Sequence, residues 1–389
     1  MNNFFNRNAR KTMIIVFTSM LIISTWFILP YYLKRAIIHQ HPGIYDYEIF
    51  PNRTIEINSP QPWPVSSLYG IPIFSDEQKD SVELMKTTAF LVISNDSLVF
   101  EYYAEDEDKT NISNSFSVAK SIVGLLIGAA IDDGYIKNLH LPIEELLPDY
   151  TNLHGHGLTL EHLLTMSSGT DWDEAYSSAF SITTKAYYGN DLNALMHRIS
   201  VTDSPGSSFN YRSGDTQLLA TILTRKTGMT VSQYASKKLW QPVGAETPGL
   251  WSLDREYGME KAYCCFNSNA RDFARIGQLI LNNGNWNGKQ IIPEKYIQKS
   301  ITPASHLTDR DGNPVDFYGY QWWIMQYNGE KIPYARGILG QYIFIVPSIN
   351  TIIVRLGHER SDIRIGEHPI DAFTWLKTGI DLHKQIYSR

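Results

Sequence analysis

Ser117 and Lys120 are separated by two residues at the start of an apolar stretch, NSFSVAKSIVGLLIGAAIDDG, which spans residues 114–134. Three positions apart on a helix, the two side chains would lie on one face, one turn apart. A serine hydroxyl becomes a strong nucleophile only when a base takes its proton, and burial lowers the pKa of a lysine toward the neutral form that can do so. Unpaired N–H groups in the first turn of the helix can also stabilise an oxyanion. The spacing therefore predicts attack by Ser117 on a carbonyl group, with Lys120 as the base.

A structural interpretation of the same two residues is also open. A Ser-x-x-Lys is expected about once by chance in a chain of this length, Ser117 could cap the helix, and Lys120 could extend its amine to solvent. The residues that follow, SIVGLLIGAAI, leave Lys120 little polar surface to reach. Gly124 and Gly128 would let other segments approach this helix closely. This context favours the catalytic interpretation.

Four longer segments carry a family resemblance. They are SVAKSIVGLLIGAAIDDGYI (117–136), LTLEHLLTMSSGTDWDE (158–174), PGSSFNYRSGDTQLLATILTRKTG (205–228) and ARDFARIGQLILNNGNWNGKQIIP (270–293). In this order they resemble the serine β-lactamase and penicillin-binding-protein superfamily, and more narrowly the class C β-lactamase-related hydrolases that include 6-aminohexanoate-dimer hydrolases and related esterases. The similarity runs from about residue 63 to near the C-terminus. The resemblance implies that Ser117 forms an acyl-enzyme, that Lys120 assists as base, and that no metal or organic cofactor is needed.

The second motif of this family is Tyr-x-Asn or Tyr-x-Ser, and two segments fit it. Tyr188-Gly189-Asn190 matches one form by its letters alone, whereas Tyr211-Arg212-Ser213 lies inside a segment that matches the family and directly precedes a helical run. We therefore assign the motif to Tyr211 and Ser213. The resemblance implies that Tyr211 passes a proton to the leaving group and that Ser213 supports the lysine by hydrogen bonding.

The third family motif is often Lys-Thr-Gly or His-x-Gly on a strand beside the cleft. The literal Lys226-Thr227-Gly228 ends an apolar helical run, where lysine followed by glycine is a helix stop signal. We assign the position instead to Ile338-Leu339-Gly340, where Gly340 would permit a close backbone approach and the N–H of Gln341 would be the second oxyanion donor. Ile338 replaces the usual cation, which favours an uncharged ester or amide substrate. Arg336, on the same strand face, is an alternative source of positive charge.

An aromatic segment after LLTMSSG supplies candidate substrate contacts. Trp172, Asp173 and Tyr176 follow a stretch that borders the cleft in relatives, and Ile338 would face the same cleft. The alternative is an aromatic loop with a structural role. His154-Gly155-His156 lacks the further Asp and His of a zinc-hydrolase motif and is interpreted as a solvated loop, so no metal site is predicted.

The elements that must position these residues follow from apolar patterning. AFLVI (89–93) with LVFEYYA (98–104) predicts one strand hairpin, and QYIFIV (341–346) with TIIVRLG (351–357) predicts another; FYGYQWWIM (317–325) is also typical of a strand. A short helix is predicted near 75–87 and an amphipathic helix near the C-terminus. We therefore predict an α/β (α+β) fold of the β-lactamase/transpeptidase-like type, an antiparallel sheet flanked by terminal helices with an inserted helical subdomain. The sheet layer would comprise about 63–115 and 305–389, and the helical layer about 116–304, within one serine hydrolase domain at 63–389.

The N-terminus predicts a membrane anchor. Residues 13–33 form an uncharged run of membrane-spanning length without a convincing cleavage site. Three basic residues precede the run and two follow it, so the positive-inside rule places a tail at 1–12 in the cytoplasm and the body outside it. The proline-rich segment 34–62 is interpreted as an extended linker.

The net charge and the cysteine content further restrict the classes of function that this chain could have. The 389 residues carry a net charge of −6, which gives no basic field for nucleic acid. The two cysteines, Cys264 and Cys265, are adjacent and are expected to be small packed side chains rather than a disulfide.

The sequence thus predicts a single-pass membrane protein whose extracytoplasmic domain is a serine hydrolase acting on a small or peptide-like ester or amide. Two alternatives stay open: a non-catalytic penicillin-binding-like protein that binds cell-wall peptide, and a D,D-peptidase or β-lactamase.

Overall fold

The computed structural model describes residues 2–387, with side chains described for 11–21 and 24–387. The helices, in chain order, are α1 (Asn2–Ile28), α2 (Tyr31–His39), α3 (Asp76–Leu84), α4 (Val118–Asp132), α5 (Ile143–Leu146), α6 (Leu160–Leu164), α7 (Ile182–Tyr188), α8 (Leu192–Met196), α9 (Ser213–Thr227), α10 (Val231–Ala235), α11 (Ala270–Leu281), α12 (Glu294–Ser300) and α13 (Ile370–Tyr387). The strands are β1 (Asn52–Ile55), β2 (Thr87–Ser94), β3 (Ser97–Tyr103), β4 (Ser113–Asn114), β5 (Gly249–Ser252), β6 (Phe266–Ser268), β7 (Asn285–Trp286), β8 (Lys289–Gln290), β9 (Trp323–Tyr327), β10 (Glu330–Gly337), β11 (Gln341–Val346), β12 (Thr351–Gly357), β13 (Arg364–Ile365) and β14 (His368–Pro369).

A six-stranded antiparallel sheet joins the two ends of the domain. Its order is β3-β2-β12-β11-β10-β9, so the early hairpin pairs with the late strands through β2 and β12. Both of these central strands are buried on both faces, which explains why their sequences are apolar without alternation. The predicted fold class is confirmed, and the predicted hairpins at 89–104 and 341–357 are present.

The third predicted strand, at 317–325, is displaced. The chain turns at Gln321, which has a φ of 62°, and the strand β9 begins only at Trp323. β10 was not predicted as a separate strand; it pairs with β9 through Tyr334↔Trp323 and with β11 through Tyr334↔Phe344.

The apolar helix α4 is the centre of the molecule. Every residue from Val118 to Ala130 is buried. The two glycines admit close neighbours as predicted: a Cβ on Gly128 would lie 2.4 Å from the ring of Tyr296, and one on Gly124 would lie 3.1 Å from Gln321. The Tyr296 hydroxyl donates a hydrogen bond of 2.7 Å to the Gly124 carbonyl. This tight packing fixes the start of α4, where Ser117 lies.

Residues 34–62 are not the extended linker that the prolines indicate. Ile44, Phe50 and Ile55 are buried, and β1 pairs with β5 in a second sheet of order β1-β5-β6-β4. The extended-linker interpretation is wrong because apolar residues lie between the prolines and each finds a place in the core. The segment therefore belongs to the folded domain.

The candidate membrane span ends earlier than predicted. The Lys11–Ile28 part of α1 has the length and apolar composition to cross a membrane, and none of its described side chains is buried. Pro30 then separates α1 from α2, which begins at Tyr31. The predicted boundary at residue 33 thus falls inside α2. Residue 1 and the side chains of 2–10, on which the orientation prediction partly depends, lie outside the described part of the chain.

Cys264 and Cys265 are joined by a disulfide, so the expectation that they would stay unpaired is wrong. Both are buried, as expected of packed cysteines. They follow Tyr263, a residue whose carbonyl group contacts the candidate site.

Candidate active site

Ser117 lies at the end of a sharp turn between β4 and α4. β4 pairs with β6, and the N–H of Ser115 then donates 2.8 Å to the Phe266 carbonyl. Phe116 has a φ of 46°, in the left-handed region, a conformation that costs on the order of 1–3 kcal/mol and tends to occur at functional sites. Burial of the Phe116 side chain helps to hold this turn. Ser117 therefore occupies the N-cap of α4, and the N–H groups of the next residues, Val118 and Ala119, donate to the carbonyls of Ser115 and Phe116.

Lys120 lies against this serine. Its Nζ donates 3.0 Å to the Ser117 Oγ and 2.7 Å to the Tyr263 carbonyl. The lysine is only 1% exposed. Burial lowers the pKa of Lys120 to about 8, while the negative charge of Glu174 raises it. Near pH 8 about half of the molecules therefore carry a neutral amine beside the hydroxyl.

Tyr211 completes the cluster. Its ring centroid lies 5.1 Å from the Lys120 Nζ, and its hydroxyl interacts with Ser117. The ring stacks on Trp323 at 5.4 Å, which holds it in place. Burial and the charge of Glu174 raise the pKa of Tyr211, so the phenol stays protonated and able to donate near neutral pH. The structure thus brings Ser117, Lys120 and Tyr211 together.

Ser213 does not contact the lysine directly. Its N–H and hydroxyl donate to the carboxylate of Glu174 at 2.7 and 2.6 Å, and the indole N–H of Trp172 and the hydroxyl of Tyr176 donate to the same group. Glu174 therefore accepts four hydrogen bonds beside the cluster. Sequence analysis missed it; the available signal was two adjacent carboxylates, Asp173 and Glu174, between the aromatic residues Trp172 and Tyr176 inside a family-like segment.

The residue at which β10 comes closest to the Ser117 turn is Gly337, three positions before the predicted Gly340. A Cβ on Gly337 would lie 2.2 Å from the Ser115 carbonyl oxygen, so Gly337 is the close-approach residue. The chain then reverses through a 3-10 turn at Ile338–Gly340, and Gly337 pairs with Gln341 across it.

Gly340 and Gln341 consequently lie away from the positions expected for them. A Cβ on Gly340 would meet the Arg355 guanidinium, and the Gln341 side chain donates 2.6 Å to the Gly357 carbonyl. Ile338, by contrast, lines the cavity at Ser117. The close approach was predicted three positions too late because the turn between β10 and β11 is tighter than the sequence indicates.

Of the aromatic candidates, only Tyr176 reaches open space. It is half exposed and lines the cavities on both sides of Ser117. Trp172 is buried behind the site, where a Cβ on Gly214 would lie 2.6 Å from its ring. Lys226 and Thr227 end α9, with Gly228 at a φ of 68°, which confirms their interpretation as a helix stop.

Two cavities of different character meet at Ser117. The first, of about 330 Å³, is mostly apolar and extends toward α2 and α7. The second, of about 450 Å³, is polar and contains Tyr211 and the arginines Arg310, Arg336, Arg360 and Arg364. Arg336 is buried with its guanidinium carbon 3.5 Å from the centroid of Trp323, and its hydrogen bonds go to the Tyr334 hydroxyl and the Glu367 carbonyl rather than to a carboxylate. Three carboxylates, those of Glu174, Asp309 and Glu367, line the same cavity, so its charge is mixed and Arg336 is the buried cation in it that hydrogen-bonds no carboxylate.

Similarity to known proteins extends over most of the chain. A beta-lactamase family profile matches residues 83–363. The 6-aminohexanoate-dimer hydrolase of Paenarthrobacter ureafaciens is 25% identical over 308 residues, which cover 75% of this chain and 78% of that protein. Among solved structures, a candidate 6-aminohexanoate-dimer hydrolase from Bacillus anthracis has a TM-score of 0.72 at 22% identity, covering 89% of this chain and 94% of that chain. A family VIII carboxylesterase has a TM-score of 0.62 at 13% identity, covering 84% and 98%. The family resemblance predicted from the sequence is confirmed.

Proposed function

Because the chain belongs to the beta-lactamase family, we propose that it is a membrane-anchored serine hydrolase that cleaves an ester or amide through an acyl-serine intermediate. The observation that carries the proposal is the 3.0 Å contact between the Lys120 Nζ and the Ser117 Oγ, made by a buried lysine with a lowered pKa. The similarity to a 6-aminohexanoate-dimer hydrolase and the structural likeness to a carboxylesterase are consistent with amide and ester substrates.

The reaction would proceed in two halves. Neutral Lys120 accepts the Ser117 proton as Oγ bonds to the substrate carbonyl carbon, and Tyr211 donates a proton to the leaving oxygen or nitrogen as its bond to that carbon breaks. Tyr211 is reprotonated from Lys120. A water molecule then attacks the acyl-serine by the same proton transfers in reverse and releases the acid.

The oxyanion would be held by two backbone N–H groups. One belongs to Ser117 at the start of α4 and the other to Ile338 at the start of the 3-10 turn, both at positions where N–H groups lack helical partners. Ile338 replaces Gln341 in this role because Gly337, not Gly340, approaches the helix.

The polar cavity widens the proposed substrate class. Tyr211 lies on this side of Ser117, so the leaving group would occupy it. Arg336 supplies there the positive charge that Ile338 lacks, which favours substrates with a carboxylate or another anionic group on the leaving side. A D,D-peptidase or β-lactamase activity therefore stays the second candidate function.

Covalent labelling tests the proposal. We expect a fluorophosphonate to add one adduct to the full chain, measured by intact mass and mapped to Ser117, and to leave Ser117→Ala unlabelled. Ser121→Ala, which changes a nearby helix serine whose hydroxyl donates to the Gln321 carbonyl, is the matched control and should label normally. Absence of labelling with several fluorophosphonates and penicillins would favour the non-catalytic binding protein.

Replacing Glu174 by glutamine is expected to move the pH profile to lower pH. Lysine acts as base only when neutral, so kcat/KM of the wild type should rise with pH and level off above about pH 8. The Glu174 charge raises the pKa of Lys120, and its removal lowers that pKa, whereas glutamine can retain hydrogen bonds to Ser213 and Trp172. The measurement is kcat/KM against pH for a nitrophenyl ester. Glu145→Gln, at an exposed carboxylate, should leave the profile in place, and a shift of Glu174→Gln toward higher pH would contradict the assignment.

A further inference from the structure

The apolar cavity beside Ser117 is built by two walls from distant parts of the chain. One wall is α2, which contributes Leu33, Ala36 and Ile37; the other contains Phe116, Tyr187 and Tyr188. Ser117 and Ile338 also line this cavity, and the acyl carbon would be bound beside them. Its volume of about 330 Å³ falls in the range of small-molecule sites.

The α2 wall is fixed to the domain by specific contacts. The Arg35 guanidinium donates 2.7 Å to the Ile49 carbonyl and lies 4.9 Å from the ring centroid of Phe50. The His39 ring stacks on Tyr188 at 6.1 Å. These contacts hold α2 against the domain, so α2 is an integral part of the cavity wall.

Each of the two cavities would bind the part of the substrate on one side of the bond to be cleaved. Tyr211, the proposed proton donor to the leaving group, lines only the polar cavity, so the acyl group must extend the other way. We propose that the cavity between α2 and α7 binds the hydrocarbon chain of the acyl group, so that the substrate is a medium-chain acyl ester or amide with a polar leaving group. This inference rests on the proposed function for the direction of the chain. The acyl carbon bonds to Ser117, its bond to the leaving oxygen or nitrogen breaks, and water then releases a fatty acid.

Chain-length selectivity of the full chain in lipid nanodiscs tests the inference. We expect kcat/KM for nitrophenyl octanoate to exceed that for nitrophenyl acetate at least tenfold, below a ceiling of about fourfold for each added methylene. Ala36→Trp, which fills the cavity from α2, should lower this octanoate-to-acetate ratio at least tenfold. Ile38→Trp, at a neighbouring position that is 60% exposed and outside the cavity lining, should leave both rates unchanged.

A second measurement does not require turnover. A diazirine-bearing octanoic acid, photo-crosslinked to Ser117→Ala, should mark the peptides that contain Phe116 or Tyr187–Tyr188, and Ala36→Trp in the same background should suppress these adducts. If no ester is hydrolysed but the crosslinks form, the proposed hydrolase function fails and the chain site stands. If esters are hydrolysed with the same octanoate-to-acetate ratio in wild type and Ala36→Trp, or if the crosslinks fall elsewhere, the chain site is overturned.

Discussion

Replacing Lys120 by arginine is expected to lower kcat/KM for ester hydrolysis about a thousandfold at pH 8, within the range attributed to general acid–base catalysis. The guanidinium group stays protonated under these conditions, so it cannot accept the Ser117 proton. A buried lysine with a pKa of about 8 can do so, because burial disfavours its charged form. The measurement is steady-state hydrolysis of a nitrophenyl ester, together with the thermal unfolding midpoint as a check on folding.

The matched control is Lys226→Arg, which makes the same exchange in the literal Lys-Thr-Gly. Lys226 lies in the last turn of α9, so kcat/KM should stay within about twofold of the wild-type value, as for a surface substitution. A fully active Lys120→Arg enzyme with a wild-type unfolding midpoint would eliminate Lys120 as the base.

Replacing Ile338 by proline is expected to lower kcat about a hundred- to a thousandfold, the effect of removing one oxyanion donor. Proline removes the backbone N–H and also exchanges the side chain, and the backbone here accommodates it: Gly337 is extended, with φ −116° and ψ 160°, and Ile338 begins a 3-10 turn. Ile338→Val keeps the N–H and a branched side chain, and should retain kcat within about threefold, as a conservative aliphatic exchange.

Comparing Ile338→Pro with Ile338→Val also tests whether the second oxyanion donor is the N–H of Ile338 or that of Gln341. If Ile338→Pro folds normally and keeps wild-type kcat, the donor is not Ile338, and the N–H of Gln341 regains its place as the candidate. Acylation rates under single-turnover conditions would show whether the loss falls on attack by Ser117 or on hydrolysis of the acyl-enzyme.

Local patterns predicted the parts of the fold that are dominated by local forces. α4 could be identified because an apolar run too short to cross a membrane is typical of a buried helix, and α9 because Gly228 supplies a left-handed stop. The contact between Ser117 and Lys120 could be predicted because their spacing along one helix determines their separation. Tyr211, from another segment, was placed beside them only through the family resemblance.

The missed features depend on contacts between distant segments. The role of Glu174 arises where a loop folds back onto the start of α9, and no spacing rule encodes that approach. The position of Gly337 depends on how tightly β10 turns into β11. Apolar patterning does not determine the position of a turn to within a few residues. The packing of residues 34–62 was missed because proline content indicates stiffness and not whether the intervening apolar side chains find partners.

The short connection between α1 and α2 limits where the enzyme can work. Only Leu29 and Pro30 separate the two helices, so their facing ends, Ile28 and Tyr31, are at most about 11 Å apart. α2 is itself a wall of the cleft. With α1 in a bilayer, α2, which is only about 14 Å long, would hold the cavity that contains Ser117 near the membrane surface. In that arrangement, molecules that collect at the lipid surface would meet Ser117 at a higher local concentration than molecules in the bulk compartment.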